Sequence, residues 1–339
     1  MKVSVLCPFY NHATLVQRVV DAVMAQDYSN IEMLFLDDAS TDNTWEVLQQ
    51  AVAKYRDNKN LLVLRNATNQ GVTGAFNVLM HHATGDIFVI QGGDDLACPN
   101  RVSTIVRYWE TATRDGAKIS GGMHRTTYVD DDFKPLGKTH SSDAGYRVFS
   151  GEEAFDRNMQ LHGAAAFYSR ECFTRFGDLP PDGKYEDQTI RWRIVISGDW
   201  LEIDESLVFY RCVGGTATRF STSFERSRDS VTRYYNSLLG MRTDLEANRA
   251  RMGQGFYEKC AKWVSARIAA QKVLVTLLTE SFFSKWHVLP QWIRLIRKEK
   301  KTFSWGLFFM PTPVVKLVFK ARGVFGNMLY SNRSKLRRR

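Results

Sequence analysis

Four short apolar runs that alternate with helical stretches constrain the fold of this chain most strongly. Each run is rich in branched residues and ends at a polar turn, and the stretches between them carry apolar side chains at steps of three and four. The runs are residues 2–7, 31–37, 61–65 and 86–91, and the helical stretches are residues 13–26, 43–55 and 72–83. This alternation predicts an α/β fold with a mostly parallel sheet and helices on both faces.

Polar residues follow every predicted strand, in the segments "CPFYN", "DDASTDNT", "NATNQG" and "GGDD". Ligands of parallel sheets bind beyond the carboxyl ends of the strands, so these segments should border one crevice. Asp38 follows the second run, and Asp94 and Asp95 follow the fourth. Adjacent carboxylates repel unless a cation or hydrogen-bond donors share the site. Helix capping by Ser40 or Asp42 is the alternative explanation of the second segment.

Nucleotide phosphates have no glycine-rich cradle here, because the sequence contains neither G-x-x-x-x-G-K-[ST] nor G-x-G-x-x-G after the first strand. A divalent cation on Asp94 and Asp95 would neutralise a diphosphate instead. Hard oxygen ligands favour Mg²⁺ or Mn²⁺. The cofactor expected from the sequence is therefore one of these two ions.

Cysteine usage indicates a reducing compartment. The five cysteines are scattered and form no CxxC pair or Cys/His cluster, which argues against a disulfide framework and against structural zinc. The N-terminal apolar stretch is only a few residues long and reads as a first strand, not as a signal peptide. We therefore expect a cytoplasmic protein.

Beyond residue 117 the pattern is less regular. Residues 117–122 and 124–132 are predicted as two strands, and residues 151–159 as a short helix. A strand running into a helix is expected at 161–177, and a loop followed by a helix at 180–195. Another strand or hairpin is expected at 200–212, and long helices at 220–248 and 256–283.

Four segments in this order resemble the family 2 glycosyltransferases, which have the GT-A fold. The segments are "VSVLCPFYNH", "IEMLFLDDASTDNT", "NQGVTGAFNVLMHHATGDIFVIQGGDD" and "YEDQTIRWRI", and the resemblance covers roughly residues 1–215. It implies an enzyme that uses a nucleotide-sugar donor. By the resemblance, the donor-binding residues are Pro8, Tyr10, Asn11, Asp38 and Asp94, and the metal ligand is Asp95.

One departure from the family pattern lies in the turn after the fourth strand. Many members read D-x-D-D where this chain reads "GGDD", so Gly92 stands where a first aspartate is common. One carboxylate is missing, which predicts weaker metal binding. Glycine lacks Cβ, so Gly92 and Gly93 are expected to let the chain approach the sugar or the diphosphate closely.

Asp187 matches the general base of the family's ED motif. A sugar hydroxyl that attacks an anomeric carbon must lose its proton as the bond forms, and carboxylates do this in glycosyl chemistry. A single base implies direct displacement and inversion. Glu186 and His162 are candidates for acceptor contact or support. The alternatives are that Glu186 and Asp187 merely begin a helix, where acids are favoured, and that His162 is structural.

The basic excess of the chain is confined to its tail. Residues 281–339 hold 14 Lys and Arg against one acid, whereas the whole chain carries a net charge of +10. Aromatic and basic residues interleave in residues 285–339, and Pro311, Pro313 and Lys316 interrupt the apolar stretch. We expect this segment to lie on an anionic membrane surface rather than to span a bilayer. Packing of the tail helices on the body is the alternative, and no nucleic-acid-binding module is recognisable.

Together these features predict two regions, a GT-A glycosyltransferase domain at residues 1–219 and a helical basic region at residues 220–339. The expected activity is inverting transfer of one sugar to a lipid-linked or polysaccharide acceptor, on the inner face of the cell membrane. Two alternatives remain. A sugar nucleotidyltransferase would need a glycine-rich loop and a lysine after the first strand, which "CPFYNH" lacks. A catalytically silent nucleotide-binding membrane scaffold would bind the donor without turnover.

Overall fold

A computed structural model describes residues 1–137, 145–180, 186–212 and 224–279, together with residues 288, 290 and 291. The chain divides into two compact units. The larger unit contains the sheet and also residues 243–257, and the smaller unit contains residues 216–242 and the chain from 258 onward, where these are described. The predicted boundary at residue 220 lies outside the described residues, and a division at that point would separate residues 243–257 from the unit to which they belong.

The larger unit is built on a nine-stranded mixed sheet. Its strands are β1 (Val3–Phe9), β2 (Ile31–Asp37), β3 (Leu61–Arg65), β4 (Ile87–Ile90), β5 (Leu96–Ala97), β6 (Ile119–Val129), β7 (Tyr146–Phe149), β8 (Ala166–Ser169) and β9 (Asp199–Arg211). The order is β3-β2-β1-β4-β8-β6-β9-β5, and β7 pairs with β9. Strands β1 to β4 are parallel, whereas β8 is antiparallel to both β4 and β6. The parallel half is the one predicted from the four apolar runs.

Helices cover both faces of this sheet, as predicted. The covering helices are α1 (Val16–Met24), α2 (Thr44–Ala53), α3 (Gly71–His82), α4 (Arg101–Arg114), α5 (Gly151–Asp156), α6 (Glu171–Thr174) and α7 (Glu186–Ser197). Two long helices, α8 (Phe224–Asn248) and α9 (Gln254–Thr279), belong largely to the smaller unit. Alternate residues of β1 point to opposite faces, because the side-chain period of a strand is two. Val5 and Cys7 join a core with α1, α2 and α4, whereas Leu6 joins a core with α3, α5, α6 and α7.

The register of the parallel strands aligns their carboxyl ends. Phe9 of β1 lies opposite Asp37 of β2, and Asp37 lies opposite Arg65 of β3. The backbone N–H of Asp38 donates to the carbonyl of Phe9 at 2.9 Å, which continues the pairing one residue beyond the strands. Strand β4 ends earlier, at Ile90 opposite Leu6 of β1. The chain therefore leaves the sheet after β4 at the level of Leu6, three residues before β1 ends at Phe9.

The two long helices follow the sheet in the chain. Within the smaller unit, the Nε2 amide of Gln271 in α9 donates to the carbonyl of Val231 in α8 at 2.9 Å. Among the helices that the structure describes, none combines the length and the apolar character that crossing a bilayer requires. Residues 285–339, for which we predict membrane-surface binding, lie outside the described residues apart from positions 288, 290 and 291.

Candidate active site

Asp38 is fixed by the loop that follows β3. Its side chain is buried, and Oδ1 accepts hydrogen bonds from Nδ2 of Asn66 at 2.7 Å and from the backbone N–H of Gln70 at 2.9 Å. Nδ2 of Asn69 donates to the carbonyl of Asp38 at 3.2 Å. In the described part of the chain, hydrogen bonds reach only one of the two carboxylate oxygens, so Oδ2 remains available to a ligand.

Asn11 ties the loop after β1 to the loop after β2. It adopts a left-handed backbone conformation with φ of 56°, and its N–H donates to Oγ of Ser40 at 3.0 Å. Its side-chain oxygen accepts the N–H of Thr41 at 2.8 Å. The neighbouring Tyr10 ring is exposed, and Pro8 lies within β1. Asn11 thus shapes the loop with its side chain, while Tyr10 presents an open aromatic surface.

Asp94 and Asp95, hereafter the carboxylate pair, occupy unlike environments. Asp95 is only 2% exposed, and its Oδ1 accepts the backbone N–H of Arg211 at 2.9 Å. Asp94 is partly exposed, and its Oδ2 lies 3.6 Å from Nη2 of Arg211. Burial, and then the charge of Asp94, raise the pKa of Asp95 to about 7. The pair therefore carries negative charge that its protein neighbours compensate only in part.

The two glycines before the pair make room for the protein's own atoms. A Cβ at Gly92 would collide with the Asp95 carboxylate, and a Cβ at Gly93 would lie 2.6 Å from both Nδ1 of His12 and the Pro8 carbonyl. The turn after β4 thus packs directly on the loop after β1. Nδ1 of His12 is buried there without a hydrogen-bond partner among the described residues, and burial lowers the pKa of this histidine.

Glu186 and Asp187 begin α7, and their surroundings differ from those of a solvated helix end. Burial, followed by the charge of Asp187, raises the pKa of Glu186 to about 7. Burial also raises the pKa of Asp187, against the opposing effects of the Gln188 backbone N–H and of Arg191. Oδ1 of Asp187 is buried with no hydrogen-bond partner in the described part of the chain. Such a carboxylate accepts a proton more readily than an exposed aspartate does.

His162 connects the surroundings of the carboxylate pair to the start of α7. Its ring lies 4.5 Å from the ring of Tyr210, centroid to centroid, in an edge-to-face arrangement. Tyr210 directly precedes Arg211, whose backbone N–H is hydrogen-bonded to Asp95 of the pair. The adjacent Gly163 faces α7, since a Cβ there would lie 3.6 Å from Oε1 of Glu186. A series of contacts through Tyr210, His162 and Gly163 thus links the carboxylate pair to the start of α7.

Arg101 braces this region and was not singled out from the sequence. Its guanidinium is buried, and Nη2 donates to the carbonyls of Ile90 at 2.8 Å and Ala164 at 2.9 Å. Nη1 donates to Oε1 of Gln91 and Nε to Nε2 of His124, each at 2.9 Å. These bonds tie the end of β4 to the turn at residues 163–165, which directly precedes β8. An arginine in the first turn of a helix, shortly after a proline, is ordinarily solvent-exposed, so no pattern in the sequence pointed to a buried role for Arg101.

The carboxylate pair fits a hard divalent cation by its chemistry. Carboxylate oxygens are the ligands that Mg²⁺ and Mn²⁺ prefer, and the two carboxylates of the pair are adjacent in the turn after β4. Asp94 is the more accessible member. Among the described residues there is no group of three or more His, Cys, Asp or Glu side chains placed to hold a metal. The protein would thus supply few ligands.

Comparison with known sequences identifies the family that these features match. The family model described as Glycosyl transferase family 2 matches residues 4–175. A protein of Nostoc sp. PCC 7120 named "Uncharacterized glycosyltransferase alr2836" is 26% identical over 293 residues, which cover 78% of this chain and 84% of that protein. The putative glycosyltransferase EpsE of Bacillus subtilis is 37% identical over 109 residues, covering 32% of this chain and 38% of its own. The chain therefore matches well under half the length of EpsE.

A third relative carries a more specific name. The Escherichia coli protein WfaP, named UDP-Glc:alpha-D-GlcNAc-diphosphoundecaprenol beta-1,3-glucosyltransferase, is 28% identical over 109 residues. The match covers 32% of this chain and 41% of WfaP.

Solved structures share the fold. Residues 1–349 of Staphylococcus aureus TarS in complex with UDP align with a TM-score of 0.56 at 17% identity, covering 86% of this chain and 78% of that one. The same TarS fragment with UDP-GlcNAc aligns with a TM-score of 0.54, covering 82% of this chain and 86% of that one. At this level of identity the likeness supports the GT-A fold predicted from the sequence.

Proposed function

Because the chain belongs to glycosyl transferase family 2 and is a glycosyltransferase, we propose that it transfers one sugar from a nucleoside-diphosphate sugar to an acceptor hydroxyl, with inversion. The observation that carries this proposal is that contacts through Tyr210 and His162 link the carboxylate pair to the half-buried acids of α7. The carboxylate pair then holds the cation that stabilises the leaving diphosphate, and Asp187 accepts the proton of the attacking hydroxyl.

The donor-binding residues in this proposal surround the ends of β1 and β2. The free Oδ2 of Asp38 accepts a hydrogen bond from the base or the ribose, and the exposed ring of Tyr10 offers a stacking surface. Pro8 and Asn11 frame the loop that presents Tyr10. The TarS complexes with UDP and UDP-GlcNAc, which share the fold, support a nucleotide donor.

The carboxylate pair is proposed to hold Mg²⁺ or Mn²⁺, with Asp95 and the more accessible Asp94 as the protein ligands. When bound, this ion supplies positive charge that stabilises the diphosphate leaving group. Asp94 is also proposed to contact the donor directly. The backbone N–H of Arg211 and the glycine at position 92 keep the Asp95 carboxylate in place.

Asp187 is proposed as the general base. The acceptor oxygen attacks the anomeric carbon, the bond from that carbon to the diphosphate oxygen breaks, and the hydroxyl proton moves to the Asp187 carboxylate. This is one displacement at one carbon, so the configuration inverts. Burial raises the pKa of Asp187 and makes its carboxylate a stronger base than an exposed aspartate. Glu186 and His162 are proposed to support the acceptor.

The acceptor is proposed to be a lipid-linked or polysaccharide sugar at the inner face of the cell membrane. The name of WfaP describes transfer to a diphosphoundecaprenol-linked sugar, which supports this class. The 14 basic residues of positions 281–339 support binding to the anionic surface where such an acceptor lies. Co-sedimentation of the full chain with anionic vesicles, lost when the basic residues of 285–339 are neutralised, is the expected result.

The test is the Asp187→Asn variant, with Asp57→Asn in an exposed turn as the matched control. Nucleotide sugars are first screened for turnover with the wild type, measured as transfer and as donor hydrolysis. We expect Asp187→Asn to lower kcat by about 10² to 10⁴, while the dissociation constant for the nucleotide stays within about twofold. Full activity of this variant would exclude Asp187 as the base. A wild type that binds nucleotides but turns over no donor would favour the scaffold instead.

A further inference from the structure

Arg211 lies between two acids at the end of β9. Its backbone N–H holds Oδ1 of Asp95 at 2.9 Å, which fixes the residue beside the carboxylate pair whatever its side chain does. In its guanidinium, Nη1 donates to Oδ1 of Asp131 at 2.6 Å, and Nη2 lies 3.6 Å from Oδ2 of Asp94. Nε is buried without a hydrogen-bond partner among the described residues. The guanidinium is thus hydrogen-bonded to Asp131 through Nη1, whereas Nη2 lies near Asp94 without a hydrogen bond.

The two ion pairs of Arg211 are unequal. The 2.6 Å contact with Asp131 is a charge-assisted hydrogen bond, whereas the 3.6 Å contact with Asp94 is an ion pair without one. Asp131 is 59% exposed, so its carboxylate is well hydrated when Arg211 leaves it. Asp94 therefore gains electrostatic compensation from Arg211, while no hydrogen bond from the described residues occupies its carboxylate oxygens.

We propose that Arg211 is the internal counter-cation of the carboxylate pair and that it competes with a divalent cation for Asp94. Asp131 weakens this competition, because its hydrogen bond keeps the guanidinium from moving closer to Asp94. The competition follows from charge, because a guanidinium and a divalent ion beside one carboxylate repel each other. It rests on the proposed function, in which the pair binds the ion. Substitution of Arg211 leaves the backbone N–H that holds Asp95, so the side chain can be tested alone.

The test measures Mn²⁺ binding to the full chain without nucleotide, from the electron paramagnetic resonance signal of free Mn²⁺. We expect Arg211→Gln to lower the Mn²⁺ dissociation constant by about threefold or more, because the competing charge is gone. Asp131→Asn should raise it, because Arg211 then turns wholly to Asp94. Arg125→Gln is the matched control, since it removes the same charge from an exposed arginine that pairs with Asp204.

The double variant separates competition from the general effect of charge. If Asp131 acts by holding Arg211, then Asp131→Asn has no effect in the Arg211→Gln background. A persisting effect, or Arg211→Gln binding Mn²⁺ no more tightly than the wild type, overturns the proposal. If neither the wild type nor Arg211→Gln binds Mn²⁺ while sugar transfer proceeds in chelator, the competition is refuted and the transferase activity stands. Competition without turnover of any donor refutes the transfer alone. Thermal unfolding of each variant confirms that it is folded.

Discussion

Glu186 offers the sharpest test of how the fold accommodates charge at the proposed acceptor side. Its pKa lies at about 7 instead of the ordinary 4.5, first because of burial and then because of Asp187. The folded protein therefore binds this proton more tightly than the unfolded chain does. Stability from the neutral form is fully present below about pH 4.5 and is lost as the pH rises through 7. At pH 8 the fold carries a buried charge.

The magnitude follows from that difference in pKa. At 1.36 kcal/mol for each tenfold change in proton affinity, the charged form of Glu186 lowers the free energy of unfolding by about 3 kcal/mol at pH 8. The same linkage gives less than about 1 kcal/mol at pH 5. Glu186→Gln keeps the shape and removes the ionisation. We therefore expect the variant to be more stable than the wild type by about 3 kcal/mol at pH 8 and by much less at pH 5.

Urea denaturation at the two pH values, without nucleotide or metal, measures this difference. Glu110→Gln is the matched control, because it removes a glutamate charge from an exposed position on α4. A gain of equal size at pH 5 and pH 8 would show that the effect is packing and not ionisation. No gain at pH 8 would refute the buried charge itself.

Three further predictions concern the proposed base, the core and the donor side. The Asp187 carboxylate must be ionised to accept a proton, and burial raises its pKa. A pH–rate profile should therefore show kcat/KM falling on acidification at a pH above the ordinary aspartate pKa of 3.8. Asp244 forms a buried ion pair with Arg193 at 2.9 Å, so Asp244→Ala leaves the Arg193 guanidinium without its carboxylate partner. Urea denaturation should show a free energy of unfolding that is lower by about 3–5 kcal/mol. Asn66→Ala removes the 2.7 Å hydrogen bond to Asp38 and should weaken UDP binding about tenfold by calorimetry, whereas an unchanged affinity would exclude Asp38 from the donor site.

The parallel half of the fold was predictable because periodicity and turn signals agree there. The apolar run at 86–91 becomes β4 at Ile87–Ile90, and the helical stretch 72–83 becomes α3 at Gly71–His82. The two strands expected at 117–122 and 124–132 are instead one strand, β6. Glycines weaken the strand signal, yet in β6 they permit close packing, since a Cβ at Gly122 would collide with the Leu201 carbonyl. That contact depends on β9, which lies far away in the sequence.

The residues that brace the site were missed for the same physical reason. Asp38 and the carboxylate pair could be predicted as site residues, because each lies just beyond the carboxyl end of a predicted strand, where parallel sheets bind their ligands. Arg211 follows no such rule. It meets the pair because β5 and β9 are antiparallel with Leu96 opposite Phe209, a register that only the folded sheet sets. Arg101 likewise becomes a brace only when α4 packs under β4 and the turn at 163–165.

This register explains how the fold tolerates two adjacent acids. Because Leu96 lies opposite Phe209 in the antiparallel pair, Arg211 lies beside Asp94 and Asp95. The backbone N–H of Arg211 donates to Asp95, and its guanidinium lies near Asp94. The compensation is incomplete, because Nη2 of Arg211 stays 3.6 Å from Oδ2 of Asp94 while Nη1 is hydrogen-bonded to Asp131. Full neutralisation by a close Arg–Asp94 hydrogen bond would stabilise the protein but would occupy the oxygens that a donor-bound cation needs. In the proposed function, this arrangement matters because holding Arg211 on Asp131 keeps the Asp94 carboxylate open to a cation.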